Sequence, residues 1–200
     1  MYKWGGGGGY IAGDSAVAHI IGNYFISGPS TSVTAFTRGN ESFHGYVEGN
    51  YYDADQDGTL NGFALKVDPD SYGGMVFTDP KYDYPAVATV LTAHEAVKYV
   101  TTSAGASLVR DSIDTFLMNE VNPRGTKGAL ISDETASPVN GPGEIDGGTA
   151  AVDTDGDGIP DDAEAELGTD PAVADSMRLD ASGYTSLEVW ANSLIPSSYV

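Results

Sequence analysis

Residues 18–25 are Ala-His-Ile-Ile-Gly-Asn-Tyr-Phe, and residues 45–52 are Gly-Tyr-Val-Glu-Gly-Asn-Tyr-Tyr. Each stretch is short, contains β-branched or aromatic residues and ends in Gly-Asn-Tyr and an aromatic residue, which is typical of a strand followed by a turn. The ending recurs 27 positions later, a spacing that stacked repeat coils produce. In such a stack Asn23 would lie above Asn50 and bond to the next turn. Two ordinary hairpin strands explain the spacing equally well, so both alternatives stay open.

Two helices are predicted beyond these strands. Thr92 and Glu95 have the spacing of a capping box and precede an apolar stripe, which predicts a helix over residues 93–103. Apolar residues then recur at helical spacing until Pro123. We expect these helices to cap or flank the strands.

Composition divides the chain into three parts. Residues 132–150 are rich in Ser, Pro, Gly and acidic residues without an apolar period, and this predicts a linker. Residues 1–131 should then form the strand coils with their flanking helices. Residues 151–200 should form a separate acidic segment with a tail helix.

The charge balance excludes several functions. The 200 residues contain 29 Asp and Glu against 9 Lys and Arg, a formal net charge of -20. Nucleic-acid binding is disfavoured because it requires clustered basic residues, whereas an acidic polymer could bind if divalent cations bridged the two. The absence of Cys excludes disulfide scaffolds and thiol catalysis. No stretch has the apolar length of a membrane helix, so we expect no membrane partner.

A calcium-binding loop is predicted at residues 153–164, Asp-Thr-Asp-Gly-Asp-Gly-Ile-Pro-Asp-Asp-Ala-Glu. The pattern is that of an EF-hand-like loop, in which carboxylates and one backbone carbonyl supply hard oxygen ligands and Gly158 permits the sharp turn. The predicted ligands are Asp153, Asp155, Asp157, the Ile159 carbonyl, Asp161 and Glu164. The alternative is an acidic linker that happens to contain Asp-Gly repeats. Because the segment that precedes the loop cannot form a good helix, the form is closer to thrombospondin type 3 or dockerin-like modules than to a paired sensor.

A second acidic loop follows Tyr52. Asp53, Asp55 and Asp57 occupy the first three liganding positions, but the position of the closing Glu is Ala64. A calcium-stabilised turn and an ordinary solvated Asp turn are equally consistent with this sequence.

Arg38 is the candidate contact for an anionic substrate. It is the one basic residue between Lys3 and Lys66, and it lies in a predicted loop between two coils. The alternative is an ion pair with Glu41. The three His residues have no spacing that gathers them into a metal site or a catalytic triad, so we assign no catalytic residue.

Several strings along the chain resemble the C-terminal half of pectate lyases of polysaccharide lyase family one. They are Tyr2-Lys3-Trp4 with Gly5 to Gly9, Gly28-Pro29-Ser30-Thr31-Ser32, Gly49-Asn50-Tyr51-Tyr52, Ala104-Gly105-Ala106-Ser107-Leu108-Val109-Arg110-Asp111 and Gly183-Tyr184-Thr185-Ser186-Leu187-Glu188. The resemblance implies an all-β fold, a partial right-handed parallel β-helix with flanking α-helices and a C-terminal calcium-loop segment. It also implies secretion, Ca²⁺ as cofactor and an acidic polysaccharide, pectate, as the partner bound through calcium.

The resemblance also bears on catalysis. Enzymes of this family cleave polygalacturonate by β-elimination, with an Arg as the base in an Arg-Asn-Pro-Arg type of motif. No such motif occurs in these residues. We therefore expect a pectate-lyase-like protein that is catalytically incomplete in this chain. The alternatives are a non-catalytic, calcium-binding and pectin-associating module, or an adhesive segment of the thrombospondin type 3 sort.

The first coil should also have an open edge, which invites self-association unless the chain covers it.

Overall fold

The computed structural model describes residues 1–2, 4–85, 89–105, 107–141, 143–144 and 147–194. The chain divides into two compact units, residues 1–144 and residues 145–200. The boundary lies inside the stretch for which the sequence predicts a linker. The three-part division into residues 1–131, 132–150 and 151–200 stays a prediction.

Strands make up most of the regular structure before residue 80, and helices follow. The strands are β1 (Tyr10–Ile11), β2 (Ala16–Ile21), β3 (Tyr24–Ile26), β4 (Phe36–Thr37), β5 (Phe43–Glu48), β6 (Tyr51–Asp53), β7 (Phe63–Ala64) and β8 (Val76–Phe77). The helices are α1 (Ala93–Ser103), α2 (Ser112–Val121), α3 (Asp161–Leu167) and α4 (Ser186–Ser193).

The two repeated stretches pair with each other in parallel. All six residues of β2 pair with β5, and Tyr24 of β3 lies opposite Tyr51 of β6. β1 pairs with β4, and β8 adds to β5, also in parallel. The hairpin alternative is therefore wrong for these stretches, because a hairpin would join them as antiparallel neighbours. The one antiparallel strand pair in the described residues is β6 with β7.

An asparagine pair holds the corner between the stacked strands. The side-chain oxygen of Asn50 accepts hydrogen bonds from the Asn23 backbone and side-chain nitrogens, each at 3.0 Å. The Asn50 side-chain nitrogen donates to the Ile20 carbonyl at 2.7 Å and to the Tyr72 hydroxyl at 3.0 Å. Asn50 is 1% exposed, so these bonds satisfy polar groups that water cannot reach. The predicted stacking of Asn23 and Asn50 is confirmed.

Aromatic side chains fill the space between the strands. Phe36 is 1% exposed, and its ring centre lies 4.9 Å from that of Phe25 and 4.6 Å from that of Tyr72. Tyr10 and Phe43 pack edge to face beside them. Because strands with inward-facing aromatic residues bury much apolar area for each residue, short strands suffice here.

Side-chain caps determine where three of the helices begin. The Thr92 hydroxyl accepts from the Glu95 backbone N–H and the Glu95 carboxylate accepts from the Thr92 backbone N–H, so α1 begins as predicted. Asp111 caps α2 by accepting from Asp114. Thr185 and Glu188 form a second capping box at the start of α4. Each reciprocal box satisfies donors that the first turn leaves without partners.

The start of the chain pairs with β3. Ile26 donates its backbone N–H to the Met1 carbonyl, and Tyr2 forms a parallel bridge with Ile26. In the sheet of β2, β5 and β8, the two edge strands are β2 and β8. The prediction of a mostly β architecture is confirmed. Among the described helices, none combines the length and apolar character required to span a lipid bilayer.

Candidate metal centre

Three aspartates of the predicted calcium loop converge. One oxygen from each of Asp153, Asp155 and Asp157 lies within 4.8 Å of the others, although none of these residues is fully buried. Three carboxylates at such distances repel one another strongly unless a cation or protons neutralise them. The loop therefore has the charge and spacing of a cation site.

Glycine conformations and backbone donors shape the loop. Gly158 has a φ of 98°, which β-carbon-bearing residues rarely adopt, and its N–H donates to Asp153 at 3.1 Å. Ile159 follows with a side chain that is 0% exposed, and its N–H donates to Asp157 at 3.1 Å. The buried Ile159 side chain fixes the backbone at the position where the sequence predicts a carbonyl ligand. Gly168, in the left-handed conformation, ends α3.

Glu164 closes the site from α3. It is 0% exposed, and neither of its carboxylate oxygens has a hydrogen-bond partner in the described part of the chain. Burial, aided by the charge of Asp155, raises the pKa of Glu164. Burial likewise raises the pKa of Asp155, whose Oδ2 also lacks a partner. Buried oxygens without donors are what a bound cation would satisfy, so these residues fit a hard divalent metal ion.

Asp161 has a different immediate role. Its two oxygens accept from the Thr154 N–H and hydroxyl, each at 2.7 Å, and this closes the loop onto the first turn of α3. Asp161 is not among the groups of converging oxygens found in the described residues. A position-nine residue can act through water, so its predicted place in the site stays a prediction.

Asp175 lies outside every site that the sequence predicts. One oxygen from each of Asp157, Glu164 and Asp175 lies within 4.8 Å of the others, which makes a second converging group. Asp175 follows Glu164 by 11 positions, outside the twelve-residue pattern, so no spacing rule for such loops reaches it. Ser176 is the structural signal, because it donates its N–H to Asp157 Oδ2 at 2.7 Å and its hydroxyl to the Asp157 carbonyl at 3.0 Å.

In the second acidic loop, Asp53, Asp55 and Asp57 do not converge as the aspartates of residues 153–157 do. Asp53 is 2% exposed, and its Oδ2 has no partner among the described residues. Burial, followed by the nearby charge of Asp55, raises the pKa of Asp53. Asp57 instead accepts from the Thr59 N–H and the Asn61 side chain. In the described residues these three aspartates are not a converging group, so calcium binding there stays a prediction.

Arg38 is exposed at the end of β4. It has a φ of 57°, which non-glycine residues rarely adopt, and no ion pair with Glu41 is present within the described ranges. A Cβ on the next residue, Gly39, would collide with the Gly73 carbonyl oxygen. The loop that carries Arg38 is therefore held against a neighbouring backbone.

Comparisons with known proteins find one match for the acidic loop and several for the whole chain. The family model of the bacterial TSP3 repeat matches residues 153–174. Along its whole length the chain is 66% identical to a protein named "Probable pectate lyase C" from Aspergillus terreus and 67% identical to one of the same name from Aspergillus flavus. It is 64% identical to the protein of that name from Emericella nidulans. The resemblance to the pectate lyases is confirmed.

The alignments cover this chain fully but only part of the length of its relatives. All of the chain aligns with each of these pectate lyases, and it covers 48%, 48% and 47% of them, respectively. The chain thus spans about half the length of the curated pectate lyases that it matches. No solved structure matches it.

Proposed function

We propose that residues 1–79 form coils of a right-handed parallel β-helix. The in-register pairing of β2 with β5 and of β3 with β6 supports this, because each turn of such a helix places its strands directly on those of the next. The hydrogen-bonded Asn23 and Asn50 at equivalent corners support it as well. The α-helices α1 and α2 flank these coils in the proposal.

The proposed biochemical role is calcium-dependent association with pectate by a secreted, pectate-lyase-related protein. Identity of 64–67% over the whole chain with proteins named pectate lyases is the observation that carries it. β-Elimination of polygalacturonate is the proposed activity of the complete protein. The residues of this chain contribute coils, cation ligands and a basic side chain, but no identified catalytic base.

Charge explains why a cation belongs in the proposal. A chain with a formal net charge of -20 and a polyuronate repel each other in water. Calcium, when bound, supplies positive charge that several carboxylates can share. The carboxylates of Asp153, Asp155, Asp157 and Glu164 would hold the ion, with the Ile159 carbonyl and Asp161 completing the predicted set. Asp53, Asp55 and Asp57 are proposed as a second and weaker site.

A polymer-binding and product assay on the full chain tests the proposal. Immobilised polygalacturonate should retain the protein in calcium and release it in a chelator. Ultraviolet absorbance of unsaturated uronate should show no turnover by the chain alone. Calcium binding without polymer retention would reduce the protein to a calcium-binding module, and clear turnover would refute its catalytic incompleteness. Self-association through the edge of β2 also stays a proposal.

Replacing Arg38 by alanine should weaken calcium-dependent polygalacturonate binding by about three- to tenfold, the effect of one exposed charge contact. The exposed guanidinium has no ion-pair partner in the described residues, so it is available to a uronate carboxylate. Retention on the immobilised polymer across a salt gradient measures the effect. Lys66→Ala is the matched control, because it removes the same charge from another exposed position. Equal losses for the two variants would show that only net charge matters.

A further inference from the structure

We propose that Asp175 is an additional carboxylate ligand of the cation held by residues 153–164. This inference rests on the proposed calcium binding of that loop. It extends the site beyond the twelve-residue pattern and beyond residue 174, where the match to the TSP3 repeat ends. The ligand set then comes from two segments of the chain instead of one.

The two oxygens of Asp175 face different partners. Oδ1 is buried without a hydrogen-bond partner in the described residues, and an Asp175 oxygen belongs to the converging group with Asp157 and Glu164. Oδ2 lies 3.5 Å from Arg178 Nη1. A carboxylate held on one oxygen by a guanidinium presents its other oxygen in a fixed direction. One oxygen of Asp175 lies within 4.8 Å of an oxygen of Glu164, which is 0% exposed and whose two oxygens also lack donors in the described residues.

Several further contacts hold Asp175 in place. Ser176 donates two hydrogen bonds to Asp157, so the residue next to Asp175 is fixed directly to the loop. Arg178 also donates from Nη2 to the Gly168 carbonyl at 3.1 Å, at the end of α3. Such outer contacts orient ligands in metal sites and reduce the entropy lost on binding.

The proposal assigns the cation a second effect, on the segment that leads to α4. Leu187 of α4 donates its backbone N–H to the Ser176 carbonyl, and Ser186 donates to the Arg178 carbonyl. A cation bound by both Glu164 and Asp175 would therefore join α3 to the loop that precedes α4. Calcium should stabilise this whole unit, including α4, and not the loop alone.

Calorimetric titration of the full, chelator-stripped chain with CaCl₂ tests the assignment. Asp175→Asn should raise the calcium Kd by about tenfold or more, because affinity in such sites follows the number of charged ligands. Asp170→Asn, an exposed position in the same segment, should leave the Kd within about twofold of wild type. Asp175→Ser provides a second variant, and thermal unfolding in chelator verifies that each variant folds.

The variant Arg178→Gln tests whether Asp175 acts as a cation ligand or only as the ion-pair partner of Arg178. If Asp175 binds the cation, this variant should weaken calcium binding less than Asp175→Asn does, because it removes a contact that orients the carboxylate but leaves the carboxylate itself. Equal weakening by Asp175→Asn and Arg178→Gln would show that the ion pair matters, and would overturn the proposal. So would unchanged affinity in both Asp175 variants. Failure of the wild-type chain to bind calcium at all would instead refute the proposed function of the loop.

Discussion

Replacing Glu164 by glutamine should lower calcium affinity by about 100-fold or more, since the closing Glu of such a loop supplies both of its oxygens to the ion. The Glu164 side chain is fully buried, and its two oxygens have no donors in the described residues. Glutamine can offer one oxygen and no charge. Calorimetric titration with CaCl₂ would measure the change.

The same substitution should raise the melting temperature in the presence of a chelator. Burial raises the pKa of Glu164, which means that its ionised form is unfavourable in the folded chain without a cation. A neutral amide removes that penalty. Glu166→Gln is the control, because Glu166 lies on the same helix but is exposed. Wild-type affinity in Glu164→Gln would contradict the assignment of Glu164 as a ligand.

Replacing Asn50 by alanine should lower the free energy of unfolding of the strand unit by about 3–5 kcal/mol, because each buried group left without a partner costs about 1–3 kcal/mol. The substitution removes the acceptor of the Asn23 backbone N–H and the donors to the Ile20 carbonyl and the Tyr72 hydroxyl. Urea unfolding followed by Trp4 fluorescence measures the loss. Trp4 is 7% exposed, within the aromatic core of this unit.

Two controls make the Asn50 measurement specific. A Trp190→Phe background removes the second of the two tryptophans, so that Trp4 alone reports unfolding. Asn61→Ala deletes an exposed side chain with one side-chain hydrogen bond, and should cost less than about 1 kcal/mol. A loss in Asn50→Ala no greater than that in Asn61→Ala would exclude the corner as a major source of stability.

Local spacing in the sequence was sufficient to predict several features. The repeated Gly-Asn-Tyr ending predicted the stacking of Asn23 and Asn50, and Thr92 with Glu95 predicted the start of α1. These predictions succeeded because each depends on residues whose geometry is set within one turn or one repeat. The period alone could not exclude a hairpin, because it carries no information about strand direction.

The parts that sequence could not predict depend on contacts between separate segments. An oxygen of Asp175 lies within 4.8 Å of one of Glu164, in a segment whose Ser176 and Arg178 bond to the loop and to the end of α3. Asp161 occupies a ligand position in the pattern, yet in the structure it accepts two hydrogen bonds from Thr154. Side chains with several possible partners need the folded structure to choose among them.

The bond from Asn50 to the Tyr72 hydroxyl bears on how a chain of this kind can lengthen by duplication. A copied segment of one repeat placed ahead of Asn50 would bring its own Gly-Asn corner, and that asparagine could bond to the existing one as Asn23 does. A copy placed after Tyr72 would find the Asn50 side-chain nitrogen already engaged by a phenol. Tyr72 therefore takes the place that the next corner asparagine would occupy, and it ends the row in this chain.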